Sequence, residues 1–177
     1  TGKRTAQAAL KIALDLESEG LINKKTALLR IDPYSLESLF KPSFDPKIKR
    51  KVLAKGLAAS PGAAVGEAVF TPEQAVELAD RGHKVILVRM ETSPDDIHGI
   101  AAAEGVLTAR GGLTSHAALV TRAMGKPGVV GCEAILVNYK KEQMRLGRTL
   151  LNKGDKISID GRSGEVMGGE LPTRPPE

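Results

Sequence analysis

The segment "ARGGLTSHAALVTRAMG" (residues 109–125) contains the side chain that is best placed for chemistry in this sequence, His116. His116 follows a Gly-Gly pair and two hydroxyl residues, and it opens an alanine-rich run with helical spacing. A helix N-terminus offers free backbone N–H groups and a partial positive charge, which favour a neutral imidazole and stabilise a bound anion. A histidine in this position is suited to accept a phosphoryl group, so His116 is the predicted nucleophile.

The residues before His116 are predicted to form the loop that presents it. Gly111 and Gly112 can take positive φ and expose backbone N–H groups, and Thr114 or Ser115 can cap the helix. A serine-hydrolase role for Ser115 is disfavoured, because the G-x-S-x-G elbow is absent and no carboxylate lies close in the sequence. From these residues alone, a purely structural role for His116 at the start of the helix stays open.

The other two histidines are predicted to be structural. His83 follows Gly82 in a turn between a helix and a strand, and His98 lies within a helix among alanines. No pair of the three histidines has metal-ligand spacing with a carboxylate or thiol partner, so no metal site is predicted.

Two short apolar runs predict the strands that position His116. "KVILVR" (84–89) and "GVLTA" (105–109) are typical of strands that are buried on both faces, and each precedes a helix start, at Thr92 and at Gly111. This alternation predicts an α/β layer with parallel strands, whose ligands bind at the carboxyl ends. Downstream, "AILVNYKKEQMRLG" and "KISIDGRSGEVMGG" predict two hairpins.

The two ends of the chain are predicted to be connecting segments. Residues 1–41 form a helical segment, with helices expected in "TAQAALKIALDLES", "NKKTALLRI" and "DPYSLESLF". The basic, proline-containing run "KPSFDPKIKRK" is predicted to be a solvated connector, and residues 174–177 a linker, so the main domain spans 42–173. Because the sequence begins at Thr1 without an initiator methionine, we expect it to be part of a longer protein.

Composition argues against several classes of protein. The net charge of +5 arises in the first 56 residues, and with five aromatic residues there are few surfaces on which bases could stack, so nucleic-acid binding is not expected. One cysteine, Cys132, excludes an intramolecular disulfide framework and fits a reducing compartment. No apolar run reaches the roughly 18 residues of a membrane-spanning helix, so no membrane association is expected.

The segment "GGLTSHAALVTRAMGKPGVVG" resembles the active-site signature of the phosphoenolpyruvate-utilising enzymes, whose mobile domain carries a phosphohistidine. Within that family, "GLAASPGAAVGEAVF" and "RMETSPDDIHGIAAAEGVLTARGG" are most similar to the dikinases. The resemblance implies a swivelling β/β/α domain preceded by a helical linker segment. It implies that His116 is phosphorylated and that Gly111, Gly112, Thr114 and Ser115 form its phosphate loop.

Further roles follow only from the resemblance. Arg110, Arg122 and Thr92 become candidate phosphate contacts, although Arg122 lies six residues along the helix from His116. Thr114 matches the position that a regulatory kinase/phosphatase modifies in this family. A phosphate there would crowd His116 with like charge.

The resemblance also implies what a full enzyme does. It converts ATP, phosphate and pyruvate into AMP, pyrophosphate and phosphoenolpyruvate, with His116 relaying the phosphoryl group. A nucleotide-binding domain and a pyruvate-binding domain of the same polypeptide bind the substrates and Mg²⁺, in a cytoplasmic or plastid homodimer. This sequence has no P-loop and no carboxylate cluster, so the chain is not expected to turn over alone. The alternatives are a sister enzyme, such as phosphoenolpyruvate synthase or enzyme I of the phosphotransferase system, and a non-catalytic interaction module.

Overall fold

The computed structural model describes residues 6–29 and 39–176. By their internal contacts the residues divide into two compact units, Thr1–Lys41 with Pro175–Glu177, and Pro42–Arg174. None of the helices in the described part of the chain is long and apolar enough to cross a membrane.

The described part of the first unit is helical. It contains α1 (Ala6–Ser18) and α2 (Lys24–Leu29), which confirms the first two predicted helices. Gly20 follows α1 with a φ of 73°, a conformation that glycine adopts at helix C-termini without steric cost. The third predicted helix, "DPYSLESLF", lies outside the described residues except for its last two.

The second unit is built around one large mixed sheet. Its strands are β1 (Ser43–Phe44), β2 (Val52–Lys55), β3 (Leu57–Ser60), β4 (Ala63–Val69), β5 (Val85–Arg89), β6 (Gly105–Thr108), β7 (Gly128–Val130), β8 (Ile135–Asn138), β9 (Gln143–Leu146), β10 (Thr149–Asn152), β11 (Lys156–Asp160), β12 (Glu165–Gly168) and β13 (Thr173–Arg174). Its helices are α3 (Pro72–Asp80), a 3-10 turn (Pro94–Asp96), α4 (Ile97–Ala102) and α5 (His116–Met124). Eight strands form the large sheet in the order β2-β12-β11-β4-β5-β6-β7-β3, and β10-β9-β8 form a small antiparallel sheet.

The middle of the large sheet is parallel, as the sequence predicts. β4, β5, β6 and β7 pair in parallel in that order. The two predicted strands are β5 and β6, and the residues Val85–Val88 are completely buried. Such continuous apolar runs are expected where both faces of a strand are covered.

The small sheet, the large sheet and the helices form three layers with apolar side chains packed between them, which confirms the predicted β/β/α arrangement. On one face of the large sheet, a core cluster joins Ala75 of α3 and Ile100 of α4 to the strands. On the other face, Ile135, Met144 and Leu146 of the small sheet share a cluster with residues of the large sheet. The two predicted hairpins are β8–β9 and β11–β12.

The segment 41–51 is not a solvated connector, so that prediction is wrong. Phe44 is 4% exposed. Arg50 lies 3.1 Å from the Asp160 carboxylate and stacks over the Phe44 ring. β1 pairs with β13, so Arg174 belongs to a strand rather than to a linker. The basic run contains the buried Phe44, and the acidic partner of Arg50 is Asp160, 110 positions away. A local sequence pattern indicates neither contact.

Candidate phosphohistidine site

The parallel pairing of β5 and β6 brings two helix starts together. Arg89 at the end of β5 is in register with Thr108 at the end of β6, so the chain leaves both strands at the same edge of the sheet. The turn after β5 carries Thr92, and the loop after β6 leads to His116. The hydroxyl oxygen of Thr92 lies 2.9 Å from Nδ1 of His116. Two residues that are 24 positions apart thus share a hydrogen bond.

Ser115 begins the helix that carries His116. It is the N-cap of α5, and its hydroxyl accepts a hydrogen bond from the N–H of Ala118 at 3.4 Å. The Ser115 carbonyl accepts from the N–H of Leu119 at 3.0 Å. Because the first N–H groups of a helix have no partner within it, those of His116 and Ala117 are available to another acceptor. The helix start therefore offers donors and a partial positive charge next to the His116 ring.

Gly111 bends the loop against the helix start, whereas Gly112 does not need to be glycine. Gly111 has a φ of 103°, and a Cβ added there would lie 2.9 Å from the Cβ of Ser115. Gly112 has no positive φ and no atom within 4 Å of an added Cβ. Of the two glycines that could take positive φ, Gly111 does and Gly112 does not. Residues 110–114 are exposed, so the loop is accessible.

Arg122 holds the loop through its backbone. Its Nε donates to the Ala59 carbonyl at 2.8 Å, and its Nη2 donates to the Leu113 carbonyl. The loop before His116 is therefore fixed to α5 at Leu113. The role of Arg122 as a phosphate contact stays a prediction, and the observed contacts make it a residue that shapes the loop.

Arg110 is attached to both neighbouring strand ends. Its N–H donates to the Met90 carbonyl at 2.8 Å. Its carbonyl accepts from the buried hydroxyl of Thr108 at 2.8 Å. The Arg110 side chain is exposed, and its predicted contact with phosphate stays a prediction.

The other two histidines take no part in the contact between Thr92 and His116. His83 lies in the turn before β5, at the opposite end of that strand from Thr92, and its Nδ1 is 2.6 Å from the Glu67 carboxylate. His98 is exposed on α4. Among the described residues, no group of three or more His, Cys, Asp or Glu side chains could hold a metal ion.

Sequence reasoning did not identify Asp96 and Tyr139, which lie behind the site. Asp96 is 2% exposed and accepts a hydrogen bond from the N–H of Ser93, the residue after Thr92. The spacing Ser93-x-x-Asp96 is that of a capping box and could have indicated this contact. Tyr139 lies in the β8–β9 turn, and its hydroxyl accepts a hydrogen bond from the N–H of Met90. No local pattern in the sequence indicates a contact between residues 49 positions apart.

The geometry leaves one nitrogen of His116 free to react. Nδ1 is occupied by Thr92, and in the part of the chain that the structure describes no residue forms a hydrogen bond to Nε2. If Nδ1 carries the proton and donates it to Thr92, Nε2 has a free lone pair. The half-buried ring is then a neutral nucleophile at an anion-binding helix start.

Residues 82–164 match the family model of the PEP-utilising enzyme, mobile domain. Over its whole length the chain is similar to pyruvate, phosphate dikinase. It is 55% identical to the enzyme of Rhizobium meliloti over 100% of this chain and 20% of the relative. It is 50% identical to pyruvate, phosphate dikinase 1, chloroplastic, of Arabidopsis thaliana (99% and 18%) and 47% identical to the enzyme of Clostridium symbiosum (98% and 20%).

The chain spans about a fifth of the length of the curated relatives that it matches. Among solved structures, a solution NMR structure of Enzyme I matches with 27% identity and a TM-score of 0.37, over 53% of this chain and 34% of that one.

Proposed function

We propose that the chain is the phosphohistidine carrier of a pyruvate, phosphate dikinase and that Nε2 of His116 accepts the phosphoryl group. The observation that carries this proposal is the 2.9 Å contact between Thr92 and Nδ1 of His116, because it leaves Nε2 without a hydrogen bond at the start of α5. The lone pair of Nε2 forms the N–P bond while the bond from phosphorus to the donor oxygen breaks. The donor oxygen keeps the electron pair of that bond.

The loop and the helix start provide the electrostatics for the phosphorylated ring. The N–H groups of His116 and Ala117 and the positive end of α5 favour a negatively charged phosphoryl group. Nδ1 remains protonated and keeps its hydrogen bond to Thr92. Ser115 and Gly111 position the helix start, and the exposed Thr114 is accessible to a regulatory kinase/phosphatase, as the resemblance implies.

The rest of the reaction is assigned to other domains of a full enzyme. We take residues 42–173 as the swivelling domain, and 1–41 and 174–177 as segments that connect it to a nucleotide-binding and a pyruvate-binding domain. Those domains would bind ATP, pyruvate and Mg²⁺ in a homodimer, and we derive no step through a metal in this chain. The overall reaction would convert ATP, phosphate and pyruvate into AMP, pyrophosphate and phosphoenolpyruvate, in the cytoplasm or, as the name of the Arabidopsis relative indicates for that protein, in a plastid.

Labelling of His116 tests the proposal directly. The 177-residue chain is mixed with a phosphoenolpyruvate-binding domain, Mg²⁺ and ³²P-labelled phosphoenolpyruvate. We expect an acid-labile, base-stable label on the wild type and on His98→Ala, and none on His116→Ala. The exposed His98 is the matched control, since it tests whether any accessible histidine is labelled. No label on a folded wild-type chain, or equal label on His116→Ala, would contradict the proposal.

A second measurement distinguishes the dikinase from its sister enzymes. The labelled chain is offered pyruvate, phosphate or a small carrier protein, together with the corresponding domains. Transfer that depends on pyruvate and phosphate supports the dikinase, whereas transfer to a carrier protein supports an enzyme I.

A further inference from the structure

The guanidinium group of Arg89 is partly buried and contacts Phe70, Tyr139 and Asp96. Its Nη1 donates to the Phe70 carbonyl at 2.8 Å, and the Tyr139 ring lies over it with 4.7 Å from Cζ to the ring centroid. Its Nε is 3.4 Å from an oxygen of Asp96 and, although it is buried, has no hydrogen-bond partner of good geometry. Asp96 is 2% exposed and the Arg89 side chain is 23% exposed, so the carboxylate is removed from water while the guanidinium group stays in partial contact with it.

Asp96 of the charge pair with Arg89 bonds to Ser93, the neighbour of the residue that contacts His116. One carboxylate oxygen of Asp96 faces Arg89, and the other accepts a hydrogen bond from the N–H of Ser93 at 2.8 Å. Ser93 follows Thr92, whose hydroxyl contacts Nδ1 of His116. The carboxylate therefore fixes the backbone that carries the Thr92 hydroxyl.

Tyr139 connects the β8–β9 hairpin to the same backbone. Its hydroxyl accepts a hydrogen bond from the N–H of Met90 at 2.6 Å, and the Met90 carbonyl accepts from the N–H of Arg110 at 2.8 Å. The hairpin turn is itself held at its other end, because the amide of Gln74 donates to the Glu142 carboxylate at 2.5 Å. Both loops of the site, after β5 and after β6, are thus linked to the β8–β9 hairpin through one residue, Met90.

We propose that Arg89, Asp96 and Tyr139 are positioning residues that hold the Thr92 hydroxyl against Nδ1 of His116, where the hydroxyl oxygen accepts the ring proton and so keeps it on Nδ1. They do not touch the phosphoryl group. Their effect on phosphoryl transfer rests on the function proposed above, whereas their effect on the proton of the ring does not. The small sheet is then part of the site, although none of its residues reaches the histidine.

Two conservative substitutions separate the contribution of the Asp96 charge from that of the Tyr139 hydroxyl. Asp96→Asn keeps an oxygen that can accept from Ser93 but removes the charge opposite Arg89. Tyr139→Phe keeps the ring over Arg89 and removes only the hydroxyl that accepts from Met90. The matched control is Ser158→Ala, which removes a buried hydroxyl on β11 that donates to the Gly169 carbonyl at 2.8 Å.

The test is ¹⁵N NMR of the histidine side chains in the full 177-residue chain, at a pH where the ring is neutral. In the wild type and in Ser158→Ala we expect a protonated Nδ1 and an unprotonated Nε2 for His116. In Asp96→Asn, and to a smaller extent in Tyr139→Phe, the two nitrogen shifts should approach each other as the tautomers mix. We also expect phosphorylation from labelled phosphoenolpyruvate to slow about 10-fold in Asp96→Asn and about 3-fold in Tyr139→Phe, since small displacements in a reacting group are costly.

The outcomes separate the two proposals. Shifts in both folded variants that match those of Ser158→Ala would overturn the positioning role, whatever the labelling shows. An altered tautomer in the variants together with no label on the wild type would support the positioning role and contradict the proposed function. If only Asp96→Asn alters the tautomer, the role of Tyr139 is overturned and that of the charge pair stands.

Discussion

Replacing Gly111 by alanine should disrupt the start of α5, whereas the same change at Gly112 should not. At Gly111 the φ of 103° is unfavourable for any residue with a Cβ, and the added Cβ would lie 2.9 Å from the Cβ and 3.0 Å from the hydroxyl oxygen of Ser115. Strain of this kind costs about 1–3 kcal/mol. Displacement of the Ser115 cap adds about 1 kcal/mol.

We therefore expect Gly111→Ala to lower the free energy of unfolding by about 2–4 kcal/mol, which in a chain of this length lowers Tm by roughly 5–15 °C. Gly112→Ala should change stability by less than about 1 kcal/mol, because the added Cβ meets no atom within 4 Å. Urea and thermal denaturation of the two variants and the wild type measure the difference.

Labelling from phosphoenolpyruvate gives the functional side of this prediction. Gly111→Ala should slow the labelling of His116, since the helix start moves with Ser115, while Gly112→Ala should be labelled at nearly the wild-type rate. Equal stability of the two variants, or a larger loss in Gly112→Ala, would refute the reasoning from backbone geometry.

Two further predictions concern single side chains near the site. Ser115→Ala should lower the free energy of unfolding by about 0.5–1 kcal/mol, at the low end for a helix cap because the capping contact is 3.4 Å long. Denaturation of this variant, with Thr114→Ala as the control, measures the loss. A loss above about 2 kcal/mol would contradict a role limited to this cap. Burial raises the pKa of the Cys132 thiol to about 11, so at pH 8 only about one thiol in a thousand is ionised. We expect a thiol reagent to modify native Cys132 far more slowly than the unfolded chain, and equally fast modification of both would refute its burial.

The sequence was enough to predict the helix that begins at His116 and the parallel strands beneath it, whereas His116 as the nucleophile stays a prediction. These features depend on local patterns: the apolar runs of β5 and β6, the Gly-Gly turn, and the hydroxyl residue that caps α5. Each pattern reflects interactions between residues that are close in the chain, so it can be read without knowing the fold.

The tertiary structure alone decided which residues stand behind His116. The partner of its Nδ1 is Thr92, which the sequence offered only as one of three candidate phosphate contacts. Arg122, one of the candidate phosphate contacts, donates hydrogen bonds to two backbone carbonyls, which the sequence did not indicate. Tyr139 reaches Met90 across 49 positions, and this contact exists only because the small sheet packs on the large one. Sheet order and layer packing bring such residues together through apolar burial, which is not directional and leaves no local mark in the sequence.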